Sequence, residues 1–296
     1  MTRNKAGLLL GLGAYLLWGA LPFYWKALND ASPSEILANR GIWSLVICVS
    51  ALKFRKQLVN GFALLKNRRS AVILLSTSGF LTINWFVYIW SVSVDRVVES
   101  ALGYYMTPLI TVAFGVTFLH EKLRRAQKIA VGLAAVGVVI LTVGYGSFPW
   151  IALSLAVTWG SYSLLKKTLN AGALEALSVE TLFALIPNVG YLIYLESKGS
   201  AQFGHSFPNT LLLIGAGFAT IAPLLMFNGA TLRLPLTTVG LLQYITPTIM
   251  FFIGILVNHE DMVATKLFGF VFIWVALIFL GTDLVKSNRS IDNSGA

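Results

Sequence analysis

Apolar stretches of about twenty residues recur from one end of this chain to the other, each bounded by charge, proline or glycine and each long enough to cross a bilayer. They fall near residues 7 to 27, 36 to 52, 71 to 92, 98 to 119, 127 to 145, 148 to 165, 177 to 195, 210 to 228, 236 to 258 and 265 to 285. Hydrophobic residues make up 56% of the chain and charged residues 11%, where a soluble domain carries about 25% charged residues. With a mean hydropathy of +0.76, the chain has too few polar groups to coat a water-facing surface. The fold class expected is an all-α polytopic membrane protein of ten transmembrane helices, with a polar tail from Ser287 to Ala296.

The cations set the orientation, because Lys and Arg close to helix ends tend to stay cytoplasmic. With the N-terminus inside, the inner side holds Arg3, Lys5, Lys53, Arg55, Lys56, Lys66, Arg68, Arg69, Lys122, Arg124, Arg125, Lys128, Lys166, Lys167, Arg233, Lys286 and Arg289. The outer loops hold only Arg96, Lys198 and Lys266, with Lys26 and Arg40 at outer helix ends. Seventeen cations against three predict that both termini are cytoplasmic. The formal charge of +10 lies in bursts between apolar runs, not along one face, so no nucleic-acid partner is expected. Arg3 and Lys5 ahead of an apolar run imitate a signal peptide, but the run is too long for a cleavable core and is read as a first membrane helix that stays. The single cysteine, Cys48, excludes an internal disulfide and reads as a packing residue.

The chain also repeats itself. Trp18, Gly19 and Lys26 match Trp159, Gly160 and Lys167 at an offset of 141. Tyr105, Thr107, Pro108, Gly115, His120 and Glu121 match Tyr244, Thr246, Pro247, Gly254, His259 and Glu260 at 139, and Gly79, Phe80, Thr82 and Ile83 match Gly217, Phe218, Thr220 and Ile221 at 138. Residues 1–145 and 146–286 therefore form two five-helix halves. An odd number of spans per half inverts the second relative to the first, the architecture in which two halves rock about a shared central site.

The stretches Trp18-Gly19 to Lys26, Asn84-Trp85 with Tyr88-Ile89-Trp90, Glu99 to Pro108 with His120-Glu121-Lys122-Leu123, and Tyr244 to Pro247 with Glu260 resemble the RarD branch of the EamA transporters, in the drug/metabolite transporter superfamily. The resemblance covers nearly the whole chain. It implies ten helices, cytoplasmic termini, residence in the bacterial inner membrane and export of a small molecule without ATP.

Ionisable groups in or at the rim of a membrane need a partner, a cavity or the interface. Lys26, Arg40 and Glu99 sit near outer helix ends, where they could form an outer gate, bind an anionic group of the substrate, or snorkel as ordinary helix-end charges. Glu35, Asp95 and Arg96 share that end with a weaker claim. Deeper in the spans, Trp18, Tyr24, Asn84, Trp85, Tyr88, Tyr104, Tyr105, Trp159, Asn228, Gln243 and Tyr244 are candidates to line a substrate cavity, although aromatic rings also serve as plain packing residues. Tyr105 and Tyr244, equivalent in the two halves, are expected near the pseudo-symmetry axis. Pro108 and Pro247 each remove a helical hydrogen bond and suit a hinge or gate. The pairs His120-Glu121 and His259-Glu260 fall on opposite membrane faces, which argues against a shared metal site and for helix-end turns with the glutamate facing cationic neighbours. Small residues at Gly7, Gly11 and Gly132 to Gly137 are expected to allow close helix packing.

A secondary transporter is the leading expectation. No G-x-x-x-x-G-K-[ST] loop occurs, so no nucleotide cofactor is expected and the energy would come from an ion gradient or exchange, with protons a candidate coupling ion and Glu99 the candidate carboxylate. A sensor or scaffold would usually carry an appended soluble domain. A membrane enzyme acting on a lipid-linked substrate would need clustered His and carboxylates, whereas the three His here are dispersed.

Overall fold

A computed structural model describes residues 3–28, 31–93, 97–145 and 148–256, with 271–272, 274–276 and 278–279 beyond them. Among the described residues the chain is helical throughout, without strands. Helices α1 (Arg3–Lys26), α2 (Pro33–Phe54), α4 (Arg68–Ser93), α5 (Val97–Phe118), α6 (Arg125–Tyr145), α7 (Trp150–Thr168) and α10 (Phe207–Thr231) each carry one apolar run. Two runs are broken, into α8 (Ala173–Phe183) with α9 (Leu185–Ser197) and α11 (Leu236–Leu242) with α12 (Ile245–Leu256). The short α3 (Leu58–Ala63) and a 3-10 turn at Leu64–Lys66 were not expected. The tenth run lies mostly outside the described residues, as do Asp95, Arg96, His259 and Glu260. Among the described residues four helices are long and apolar enough on their own to cross a membrane, and α8 with α9 makes a fifth if that bent pair is one span.

Local chemistry explains the starts and the breaks. Ser32 and Ser206 cap α2 and α10, each accepting from the backbone N–H three residues on, at Glu35 and Asn209, with a proline in the first turn. Pro187 has no N–H for the carbonyl of Phe183, and the chain bends by 46° there. Pro247 stands in the same relation to Gln243, where the helix gives way to i-to-i+3 bonds from Gln243 to Gly240 and from Tyr244 to Leu241. Pro108, which matches Pro247 at the 139-residue offset, leaves α5 running unbroken from Val97 to Phe118, so of the two expected hinge prolines only Pro247 stands at a break.

Helices far apart in the chain pack against one another. α7 lies against α4 and α5, α1 lies against α10 and α12, and α2 lies against α10. Gly217 shows how close the α2–α10 contact is, since Ser44 Oγ donates to its carbonyl at 3.3 Å. A Cβ there would stand 2.6 Å from Trp43 Cβ and 2.7 Å from the Trp43 carbonyl carbon. Gly217→Ala is therefore expected to force the helices apart, at about 1–3 kcal/mol, read as a lowered thermal unfolding temperature in detergent; an unchanged temperature would mean the contact is slack. Gly7 and Gly11 meet α10 and α11 side chains or their loop as expected, with Leu234 and Leu242 at 2.8 and 3.1 Å from an added Cβ, but Gly132 faces open space.

Two carboxylates serve as backbone anchors. Glu121 follows His120, which closes α5 with φ 53°. Its two oxygens accept from Leu236 N–H at 2.7 Å and Thr237 N–H at 2.8 Å, so the turn is present and its glutamate holds the start of α11. Glu35 Oε1 likewise accepts from Gln202 and Phe203 N–H at 2.8 and 3.0 Å, which makes it a loop anchor at the other end of the bundle.

Candidate functional site

Where the crossing helices separate they leave a cavity of about 380 Å³. α1 contributes Tyr15, Trp18, Leu21 and Trp25, spaced three to four apart and so on one helical face. Arg40 comes from α2, Asn84, Trp85 and Tyr88 from α4, Tyr104 and Thr107 from α5, Leu155 and Trp159 from α7, and Thr220 and Leu224 from α10. Gln243, Thr246 and Pro247 come from the break between α11 and α12.

The wall around Arg40 is aromatic. Its guanidinium carbon lies 3.2 Å from the centroid of the Trp85 ring and 5.9 Å from that of Trp25. A desolvated stack of this kind is worth about 2 kcal/mol and offsets part of the cost of a cation inside the bundle. Tyr88 and Tyr104 stand beside it, edge to face with centroids 5.9 Å apart. Asn84 is held by its Nδ2, which donates to Leu155 O and Thr158 Oγ1, both at 2.9 Å.

The floor is a ring cluster. Trp18 and Trp159, which correspond at the 141-residue offset, meet edge to face with centroids 5.3 Å apart. Beneath them Phe227, fully buried, touches Tyr15, Trp18, Trp159 and Tyr162 at centroid distances of 5.5 to 6.3 Å.

Of the residues expected at a site, the cavity brings together Trp18, Arg40, Asn84, Trp85, Tyr88, Tyr104, Trp159, Gln243 and Pro247. It does not include Tyr24, which turns away to donate to Leu212 O at 2.5 Å, or Asn228, whose Oδ1 accepts from Tyr162 OH at 3.4 Å. Tyr105 and Tyr244 belong to the packed core, and the equivalent pair that meets is Trp18 with Trp159. Lys26 ends α1 and Glu99 lies in the first turn of α5, but their side chains fall outside the described part of the structure, so the expected grouping with Arg40 is not seen. Trp25 continues the Tyr15-Trp18-Leu21 face; Thr107, Thr246 and Thr220 stand at matched positions of the repeat, which is the signal that could have marked them.

A feature missed entirely adjoins the cavity. Lys166 Nζ lies 3.1 Å from Glu180 Oε1, both side chains at most 3% exposed. Glu180 Oε1 also accepts from Thr77 Oγ1 at 2.5 Å, and its main-chain carbonyl accepts from Ser78 Oγ at 2.9 Å, so the pair ties α7, α8 and α4 together. A smaller void of about 50 Å³, lined by Glu180 and Ser78, shares Trp85, Thr220 and Leu224 with the main cavity. Lys166 was read as an interfacial cation; the structure buries it.

The model of the EamA-like transporter family matches residues 5–143. The protein RarD of Streptomyces exfoliatus is 42% identical over 97% of this chain and 92% of its own, and an uncharacterized transporter of Bacillus subtilis, YojE, is 40% identical over 98% of both. A solved crystal structure at 18% identity matches 94% of this chain and 98% of its own with a TM-score of 0.73, a likeness of fold.

Proposed function

The chain belongs to the EamA-like transporter family, in its RarD branch, and on that premise we propose that it is a secondary transporter exporting a small organic solute across the bacterial inner membrane by alternating access. The observation that carries this is the cavity of about 380 Å³ lined by seven helical segments drawn from both halves of the chain. A solute site needs a concave, mostly apolar wall with a few oriented polar groups, and this volume is within the range of about 300–1,000 Å³ for ligand pockets.

In this account ten helices form two inverted halves, residues 1–145 and 146–286, with both termini cytoplasmic. Three features support it. The family match ends at residue 143, near the proposed boundary. The packing of α5 on α7 has its repeat-mate in α12 on α1, and α4 on α7 in α10 on α1. Trp18 and Trp159 meet as residues astride a pseudo-two-fold axis would. In that orientation the ring cluster around Phe227 closes the cytoplasmic side of the cavity, and the break at Pro247 is the hinge of the second half.

Export would draw on an ion gradient or on exchange, with protons the candidate ion and Glu99 the candidate carboxylate. Metabolite profiling of a deletion strain should reveal an accumulating solute, and inside-out vesicles carrying the protein should take it up, with Glu99→Gln uncoupling uptake from an imposed pH gradient. Vesicles that move nothing while the purified protein turns over a lipid would replace the transporter by an enzyme.

A further inference from the structure

The polar groups of the cavity are unbalanced in a way that bears on what enters it. Among the described lining residues Arg40 is the only one with a full charge; none of them is Asp, Glu, Lys or His. Among the described residues no carboxylate lies within ion-pair distance of the guanidinium and no hydrogen bond leaves it, and its buried Nε has no acceptor. A guanidinium has five N–H donors in one plane and no acceptor. Trp85 covers one face of that plane at 3.2 Å, which leaves the donating edges for something else.

The neighbouring groups are neutral hydroxyls and amides, which can donate or accept but bring no countercharge. The hydroxyls of Tyr88 and Tyr104 have no hydrogen-bond partner among the described residues, and Gln243 Nε2 is buried without one. The threonine hydroxyls give their hydrogens to the backbone, Thr107 to Gly103 O at 2.7 Å, Thr220 to Ala216 O at 2.8 Å and Thr246 to Tyr15 O at 2.9 Å. A cation with no countercharge among the described residues is costly in a low-dielectric wall unless an anionic acceptor arrives with the ligand.

Resting on the transporter reading and narrowing it, we infer that the substrate class is organic monoanions with an aromatic or other flat apolar body, the carboxylate taken by the Arg40 edge and the body by Trp18, Trp25 and Trp159. One guanidinium neutralises one charge, and a second carboxylate would find no countercharge among the described lining residues, which favours monoanions. The fork of N–H groups fits a carboxylate in bidentate fashion, which a lysine in the same place could not do.

Three probes that share a ring system and differ in charge test this: 2-naphthylacetate, 2-naphthylacetamide and 2-(2-naphthyl)ethylammonium, titrated calorimetrically into the full chain in detergent and then supplied to proteoliposomes. The acid is expected to bind at least about tenfold more tightly than the amide, since a hydrogen bond to a charged group is worth more than 1.4 kcal/mol, one factor of ten. The ammonium should not compete. Arg40→Gln should bring the acid down to the level of the amide, and Arg40→Lys should keep part of the preference. An amide or ammonium that binds the wild type as well as the acid, a preference for the acid that survives in Arg40→Gln, or no binding by any of the three overturns the inference without need of the variants folding alike. The two claims separate cleanly: an acid that binds but is not moved across the proteoliposome membrane sinks the transporter and leaves the anion site, whereas preferential movement of the amide or ammonium sinks the anion class and leaves the transporter.

Discussion

Lys166→Met is expected to destabilise the protein by about 3–5 kcal/mol, because it strands the Glu180 carboxylate without a countercharge in a site where that residue is 2% exposed. Glu180 Oε2 already lacks a partner, and Thr77 alone cannot replace the ammonium. The double variant Lys166→Met/Glu180→Leu should recover most of the loss, since a buried ion pair gives little net stability over a well-packed apolar pair and the penalty comes from breaking it. Thermal unfolding in detergent of the two single variants and the double one reads this directly. If Lys166→Met unfolds with the wild type, the pair is not shut away from water. The void beside it shares Trp85, Thr220 and Leu224 with the main cavity, which puts the pair between that cavity and the α7–α8 packing.

Phe227→Ala carries the second large effect. Its ring is wholly buried and lies against four others from α1 and α7, so truncation opens a hole in the one place where the equivalent tryptophans meet. Removal of a buried phenylalanine costs about 3–5 kcal/mol. Because the cluster is also the floor of the cavity, the loss should fall on the state in which that floor is closed. A cysteine at Tyr162, with Cys48→Ala as background, should then label with a membrane-impermeant maleimide from the cytoplasmic side far faster in Phe227→Ala than with Phe227 intact. A fall in stability with no gain in labelling would make the cluster a core and not a gate.

The sequence located the helices well because an apolar run ending in charge has few alternatives in a chain this poor in polar residues. Its breaks were half legible: Pro247 was flagged, Pro187 was passed over, and Pro108 shows that a proline inside a membrane helix need not interrupt it. The faces of the helices were the hard part. A span that meets lipid on one side and packed helices on the other is apolar all round, so periodicity gives no contrast between cavity, core and lipid. Tyr104 and Trp25 line the cavity while their neighbours Tyr105 and Tyr24 do not, a choice made by a rotation of one residue. The Lys166–Glu180 pair escaped for another reason: its members come from different spans, and Lys166 beside Lys167 reads as one more interfacial cation until the fold brings α8 across it.

The proposed alternating access about the Trp18–Trp159 contact would change distances between spin labels at the two ends of the bundle. With Cys48→Ala as background, one pair at Lys56→Cys and Asn170→Cys reports the proposed cytoplasmic end, and another at Ala27→Cys and Lys198→Cys reports the outer end. Two distances are expected at each end in reconstituted protein, with the inner pair lengthening as the outer pair shortens when the equilibrium is moved by 2-naphthylacetate or by Phe227→Ala. A single unchanged distance at both ends under all of these conditions would contradict it.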